Sequence, residues 1–368
     1  MSFGDFASLC VTLFLVMLGM ALLPQMPELI EKMVRALVTP PKQPATALPG
    51  AGGGTTDSNL ITTGEADSPG AWPTPQEYNE AIQNPAVVFS DAELQLGHPE
   101  LNSLGLPKPI SGAFASVYRV HCAERDWAVK CFLHPLSDQA ARYQQISHHL
   151  KKHKLRCMIN FEFVEHGIKI RNQWFPILKM EWADGVPLND YLSGIIRYPN
   201  KIAAFEKELL KVIKSLADAG IAHGDLQHGN ILVSEGQIKL VDYDGMYVPS
   251  MNGMLSSELG HRNYQHPTRA PHHFGPYLDN FSAWVIYSAL VCLRNEPEFW
   301  PVFQGGDECL LLRQSDYRDP FSSVALYSME NHPSPEVQAC AELIRAFSKL
   351  AIERIPVLSL RTKARSGK

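Results

Sequence analysis

The longest apolar stretch of the chain runs from Phe6 to Leu23, 18 residues without a charge, and closes at Pro24. At about 1.5 Å per residue a helix of that length reaches roughly 27 Å, close to the hydrocarbon thickness of a bilayer, so the run predicts a membrane-spanning helix. A cleaved signal peptide fits less well, because Met1 to Asp5 holds no Lys or Arg and no A-x-A-like site follows. Lys32, Arg35 and Lys42 follow the run while only Asp5 precedes it. The positive-inside bias therefore predicts a single-pass membrane protein with its C-terminal part in the cytoplasm.

Residues 39–74 lose all hydrophobic period and fill with Pro, Gly, Thr, Ser and Asp, which predicts a disordered linker. Short helical and turn signals return over 75–104, an N-terminal extension expected to pack on the folded domain. Ile110 to Phe132 alternates as a β-hairpin does, and Phe161 to Glu181 alternates again. Between them a helix is expected over about Asp138 to Lys152. Ile202, Phe205, Leu209, Val212, Ile213 and Leu216 form an i, i+3/i+4 stripe that Gly220 stops. Further helical stretches, notably from Ser334 to about Arg354, precede a basic tail at 356–368.

Composition narrows the class. The 368 residues are 45% hydrophobic and 19% charged with a net charge of −5, as in an ordinary globular protein, and nothing suggests a nucleic-acid partner. Seven cysteines occur without a C-x-x-C pair, which argues against a zinc site or a disulfide framework.

The chemistry concentrates in His223-Gly224-Asp225-Leu226-Gln227-His228-Gly229-Asn230-Ile231-Leu232-Val233, where a loop between a helix and an apolar strand carries an Asp and an Asn five residues apart. A second acidic site follows at Lys239-Leu240-Val241-Asp242-Tyr243-Asp244-Gly245. Upstream stand Ile110-Ser111-Gly112-Ala113-Phe114-Ala115-Ser116-Val117-Tyr118, a Trp127-Ala128-Val129-Lys130-Cys131-Phe132 strand, and Met180-Glu181-Trp182 leading into Ala183-Asp184-Gly185. A base for a hydroxyl, with an Asn and a later Asp for a divalent metal, is what phosphoryl transfer asks of a protein.

In this order the motifs resemble the protein kinase superfamily, most closely its divergent bacterial branch, over roughly residues 105–355. The resemblance implies an α+β, two-lobed fold with a small β-rich N-lobe and a mostly helical C-lobe, behind the transmembrane helix and linker. It implies ATP and Mg²⁺ as cofactors and a protein Ser/Thr hydroxyl as acceptor. Asp225 and Lys130 take the catalytic places, with Lys130 on the α- and β-phosphates. Gly112, Lys130, Glu181, Asn230 and Asp242 take the nucleotide-binding places, Glu181 in the inter-lobe hinge, and Asn230 and Asp242 hold the metal. Asp279, in Asp279-Asn280-Phe281-Ser282-Ala283-Trp284, takes the place of the Asp that anchors the catalytic loop.

Several positions depart from the family pattern. Only the middle glycine of the Gly-rich loop, Gly112, is kept. Gly224 replaces an Arg and Gln227 a Lys. Gln144 and Gln145 occupy the expected place of the helix Glu that pairs with the strand lysine, and Asp244 intrudes before Gly245. These departures keep two other readings open: a pseudokinase scaffold, and a small-molecule phosphotransferase, whose loop also takes the H-G-D form.

Overall fold

The computed structural model describes residues 72–359 except 113, 136 and 137. The transmembrane helix expected at 6–23, most of the linker and most of the basic tail lie outside these residues. The expectation of a single-pass membrane protein is corrected: among the described residues no helix is long and apolar enough to cross a membrane.

Three short helices lead in: α1 (Pro75–Ala81), α2 (Pro85–Val88) and α3 (Ala92–Gln95). Thr74 caps α1 by accepting from Glu77 N–H, and the Glu77 carboxylate accepts from Thr74 N–H in return. This reciprocal cap satisfies two amides that the first turn leaves without partners. The small lobe follows as β1 (His98–Pro99), β2 (Pro109–Ser111), β3 (Ala115–His121), β4 (Asp126–Phe132), helix α4 (Gln139–His153), β5 (Phe161–Ile170) and β6 (Gln173–Glu181). The strands form one sheet in the order β1-β3-β4-β6-β5, with β2 also paired to β3. The expected hairpin over 110–132 is thus a three-stranded meander, and 161–181 is a hairpin turning at Arg171 and Asn172, both with positive φ. Such a twisted two-residue turn matches the natural twist of paired strands.

The period of two sorts the sheet into two faces. Val129 and Cys131 of β4 join Tyr118, Val120, Ile168 and Phe175 in a core that Tyr78, Ile82, Phe89 and Leu94 of the extension complete. Ala128 and Lys130 face the other way, toward the cavity between the lobes. The extension therefore closes one side of this hydrophobic core. It also neutralises a buried cation: Lys179 on β6 sits over the Trp127 ring and donates to Asp91 and Glu93, each at 2.9 Å. An interior ammonium of this kind is tolerated only when it is paired.

The large lobe begins with β7 (Val186–Pro187), α5 (Leu188–Ile195) and the 20-residue α6 (Pro199–Asp218). All six apolar positions of the stripe read from the sequence are buried, and α6 packs against α7 (Asp279–Asn295), whose residues are almost all buried. Strands β8 (Ile231–Ser234) and β9 (Gln237–Leu240) pair antiparallel, and β7 pairs with β8. They hold the loop that carries Asp225 on one side and Asp242 on the other. Helices α8 (Phe299–Val302), α9 (Gln314–Arg318), α10 (Val324–Glu330) and α11 (Pro335–Phe347) close the lobe.

If the extension is part of the small-lobe core, Phe89→Ala should cost about 3–5 kcal/mol in urea denaturation, as for a buried aromatic elsewhere. A change below about 1 kcal/mol would mean that it merely lies on the sheet.

Candidate active site

A cavity of about 1050 Å³ opens between the lobes, and Gly112, Lys130, Glu181, Asp225, Asn230 and Asp242 all line it. The sequence separates these residues by up to 130 positions; the fold brings them together. Apolar walls come from Val117 and Ala128 above and Leu232 below, a slot suited to a flat ring. At its inner edge the Glu181 and Trp182 N–H groups donate to Asn160 O and Asp126 O. The Ala183 N–H has no partner among the described residues and is left for a ligand. The Glu181 carboxylate lies 3.3 Å from Arg125, so it is the Glu181 main chain that this edge can offer.

The loop that carries Asp225 is held from beneath. The buried Asp279 carboxylate accepts from the N–H groups of His223 and Gly224, the latter at 2.8 Å. His223 is fully buried and its Nε2 hydrogen-bonds Val241 O at 3.0 Å, tying this loop to the strand end before Asp242. Gly224 explains its own departure from the family. Its φ is +82°, and a Cβ there would lie 2.0 Å from Gly245 O. No side chain fits, so the arginine is excluded by the close packing of the two loops.

Asp225 is fixed at both oxygens. Oδ1 accepts from His261 N–H at 2.6 Å and Oδ2 from Asn230 Nδ2 at 2.9 Å. Gly260 permits the first contact, because a Cβ there would sit 2.8 Å from Asp225 Oδ1. With its amide N–H group spent on Asp225, Asn230 keeps its carbonyl oxygen for a cation. Asp242 adopts φ 66°, a left-handed conformation rarely held by a non-glycine residue unless its surroundings impose it. Its side chain is 44% exposed, toward the cavity.

Lys130 finds two acids, and neither is on helix α4. Its Nζ donates to Asp242 Oδ1 and Asp244 Oδ1, both at 2.7 Å. Gln144 is exposed and Gln145 half-buried. The residue that α4 turns inward is Tyr143, whose hydroxyl donates to Asp244 Oδ1. The helix offers no acid, as its sequence indicates, and Lys130 is oriented by other acids rather than by Gln144 or Gln145. Tyr143 was hidden because it belongs to the apolar stripe Tyr143, Ile146, Leu150 and reads as core packing.

The site is strongly acidic. Burial disfavours the charged forms of Lys130, Asp242, Asp244 and Glu258, but the two carboxylates outweigh that for Lys130 and raise its pKa. Asp242 is pushed up by burial and pulled down further by the ammonium, ending below the usual carboxylate range. Asp244 ends above it, through burial and the adjacent Asp242. Glu258, from the segment over the cavity, is pushed up to about 8 by burial and by Asp242, Asp244 and Asp225. Four carboxylates around one ammonium fit a site that takes up positive charge. Among the described residues no three His, Cys, Asp or Glu side chains form a metal-binding group. Asn230 and Asp242 therefore suit a cation that brings further oxygen ligands with it, as Mg²⁺ does on phosphates.

The description "Protein kinase domain" matches residues 110–314, more than half of the chain. The chain belongs to the protein kinase family. Calcium-dependent protein kinase 24 of Arabidopsis thaliana is 28% identical over 186 residues, 48% of this chain and 30% of its own length. The serine/threonine-protein kinase chk1 of Schizosaccharomyces pombe is 25% identical over 221 residues, 56% of this chain and 43% of its own length. The chain thus spans less than half the length of these curated relatives. The solved structure of the Cydia pomonella granulovirus kinase PK-1 aligns with a TM-score of 0.45 at 16% identity, over 70% of this chain and 88% of that one.

Two outcomes follow from the packing and charge. Gly224→Ala should destabilise the protein by about 2 kcal/mol or more in urea denaturation, because strain at positive φ adds to the overlap with Gly245. Between 4.5, the usual value for Glu, and about 8 the folded chain keeps a proton on Glu258 that the unfolded chain has released. Stability is therefore lost as pH rises through that window. The melting-temperature difference between Glu258→Gln and wild type should grow from pH 5 to pH 8 in favour of the variant, and then level. A constant difference would refute the raised value.

Proposed function

We propose that this chain is a protein kinase-type phosphotransferase that moves the γ-phosphoryl group of ATP to a Ser or Thr hydroxyl of a protein, with Mg²⁺ as cofactor. The observation that carries the reading is the meeting of the Lys130 ammonium, the doubly held Asp225 carboxylate, Asn230 and Asp242 on one inter-lobe cavity. The apolar slot and the free Ala183 N–H suit an adenine ring. The Lys130 ammonium would meet the α- and β-phosphates, and the backbone around Gly112 would cover them.

Asp225 sits where an acceptor hydroxyl would arrive. In the reaction the hydroxyl oxygen bonds to the γ-phosphorus, the bond to the β–γ bridging oxygen breaks, and ADP leaves. The hydroxyl proton passes to the Asp225 carboxylate, whose direction His261 and Asn230 hold beforehand. Asn230 and Asp242 would hold Mg²⁺, which when bound neutralises the phosphate charge. The HGD form of the loop supports a place in the divergent bacterial branch, although the two relatives above come from a plant and a fission yeast.

One observation favours a second reading, a small-molecule phosphotransferase. Glu258 adds a fourth carboxylate to the cavity, which would suit an acceptor carrying an amine beside its hydroxyl.

With γ-labelled ATP, Mg²⁺ and generic Ser/Thr acceptor proteins, the wild-type chain should transfer label and Asp225→Asn should lower kcat by about 100-fold or more. Nucleotide affinity should hold within a few-fold, since Asp225 is assigned to the acceptor. Equal rates for wild type and variant, or no transfer by either, would sink the kinase reading. Transfer to amino-alcohols but not to proteins would favour the second.

A further inference from the structure

In this chain the strand lysine lacks the helix carboxylate that the family pattern expects, and helix α4 offers no acid at all. A lysine ammonium is a point charge on a flexible four-carbon stem with three rotatable donors, so one opposing charge does not set its direction. Here two of the three donors are taken, at 2.7 Å each, by carboxylates two residues apart on one tight loop. The third is left for the cavity.

The two carboxylates are not equivalent. Asp242 is 44% exposed and open to a cation, whereas Asp244 is 14% exposed and turned inward. Asp244 is also held from two further directions. The Tyr143 hydroxyl donates to its Oδ1, and the Ser257 hydroxyl donates to its backbone oxygen at 2.7 Å. The Tyr143 ring is itself fixed, stacked on Phe163 at 5.6 Å and edge-on to Phe161 at 5.7 Å. Arg142, the preceding residue of α4, donates to Leu255 O at 2.7 Å and so fastens the helix to the segment that carries Ser257.

We infer, resting on the phosphotransferase reading above, that Asp244 is the positioning residue for Lys130 and that Tyr143 couples it to helix α4, together replacing the missing helix carboxylate. A cation that claims Asp242 leaves Asp244 as the acid that stays on Lys130. The usual lysine–helix ion pair becomes a lysine–loop ion pair with a neutral hydroxyl link to the helix. The helix then still influences the lysine, but through a hydrogen bond to the acid rather than through its own charge.

The test uses the full chain as wild type, Asp244→Asn, Tyr143→Phe and the double variant. For each, kcat, KM for ATP, the half-saturating Mg²⁺ concentration and the melting temperature are measured, with fluorescent ATP-analogue binding in EDTA as a readout free of metal. The inference expects Asp244→Asn to lose about 10- to 100-fold in kcat, as when a second-layer partner of a reactive group is removed, while analogue binding stays within about threefold, because the Lys130 charge remains. Tyr143→Phe should lose less in the same direction. The double variant should match Asp244→Asn, since the hydroxyl acts only through that carboxylate.

A tenfold rise in the Mg²⁺ requirement of Asp244→Asn would overturn this by making Asp244 a metal ligand. Unchanged kcat in both single variants, or losses that multiply in the double variant, would overturn it as well. Should Asp244→Asn fail to fold, Tyr143→Phe decides alone, because it removes one oxygen and leaves every charge in place. Wild type that transfers no phosphate would remove the phosphotransferase reading and this inference with it. Active wild type with unaffected variants would remove this inference alone.

Discussion

The buried Asp279 carboxylate is the contact on which the site depends most. It takes two consecutive backbone N–H groups, from His223 and Gly224, out of a loop that would otherwise have to satisfy them with water. With those two amides fixed, Gly224 can press against Gly245, and the loop carrying Asp225 meets the loop carrying Asp242 at backbone distance. His223 completes the junction through Val241 O. Without that anchor the two loops would keep their backbone bonds, Val241 N–H to Asn230 O and the Ala222–Tyr247 pair, but the two amides that lead into Asp225 would lose the carboxylate that fixes them.

Around this frame the electrostatics are unbalanced by construction. Asp225, Asp242, Asp244 and Glu258 share a cavity with a single ammonium, and the raised proton affinity of Glu258 records the excess. Such a site is at its least comfortable when empty and at its most comfortable with added positive charge. The same imbalance gives Lys130 a choice of partners, and the fold resolves it by turning one acid outward and the other inward.

The lead-in residues show a different dependence. In the sequence, 75–104 reads as an N-terminal extension that packs on the folded domain, without showing which groups it meets. In the fold its Tyr78, Ile82, Phe89 and Leu94 close one face of the small-lobe sheet, and Asp91 and Glu93 pair with a lysine inside that sheet. The pattern of short helical signals predicts the packing but not the ion pair, because the lysine it serves lies some 90 residues later in the chain.

By itself the sequence determined the elements and the inventory. The period-two strands, the stripe of α6 with its glycine stop, and the ordered motifs around Lys130, Asp225, Asn230 and Asp242 are local patterns, and local patterns can be read from spacing. Only the tertiary structure decided which groups meet. It set the acid partners of Lys130, turned Tyr143 rather than Gln144 or Gln145 inward, brought Glu258 over the cavity, and showed why position 224 admits nothing larger than glycine. Each of these is a contact between segments far apart in the chain. Their distances follow from how the lobes pack, and no spacing along the sequence encodes that.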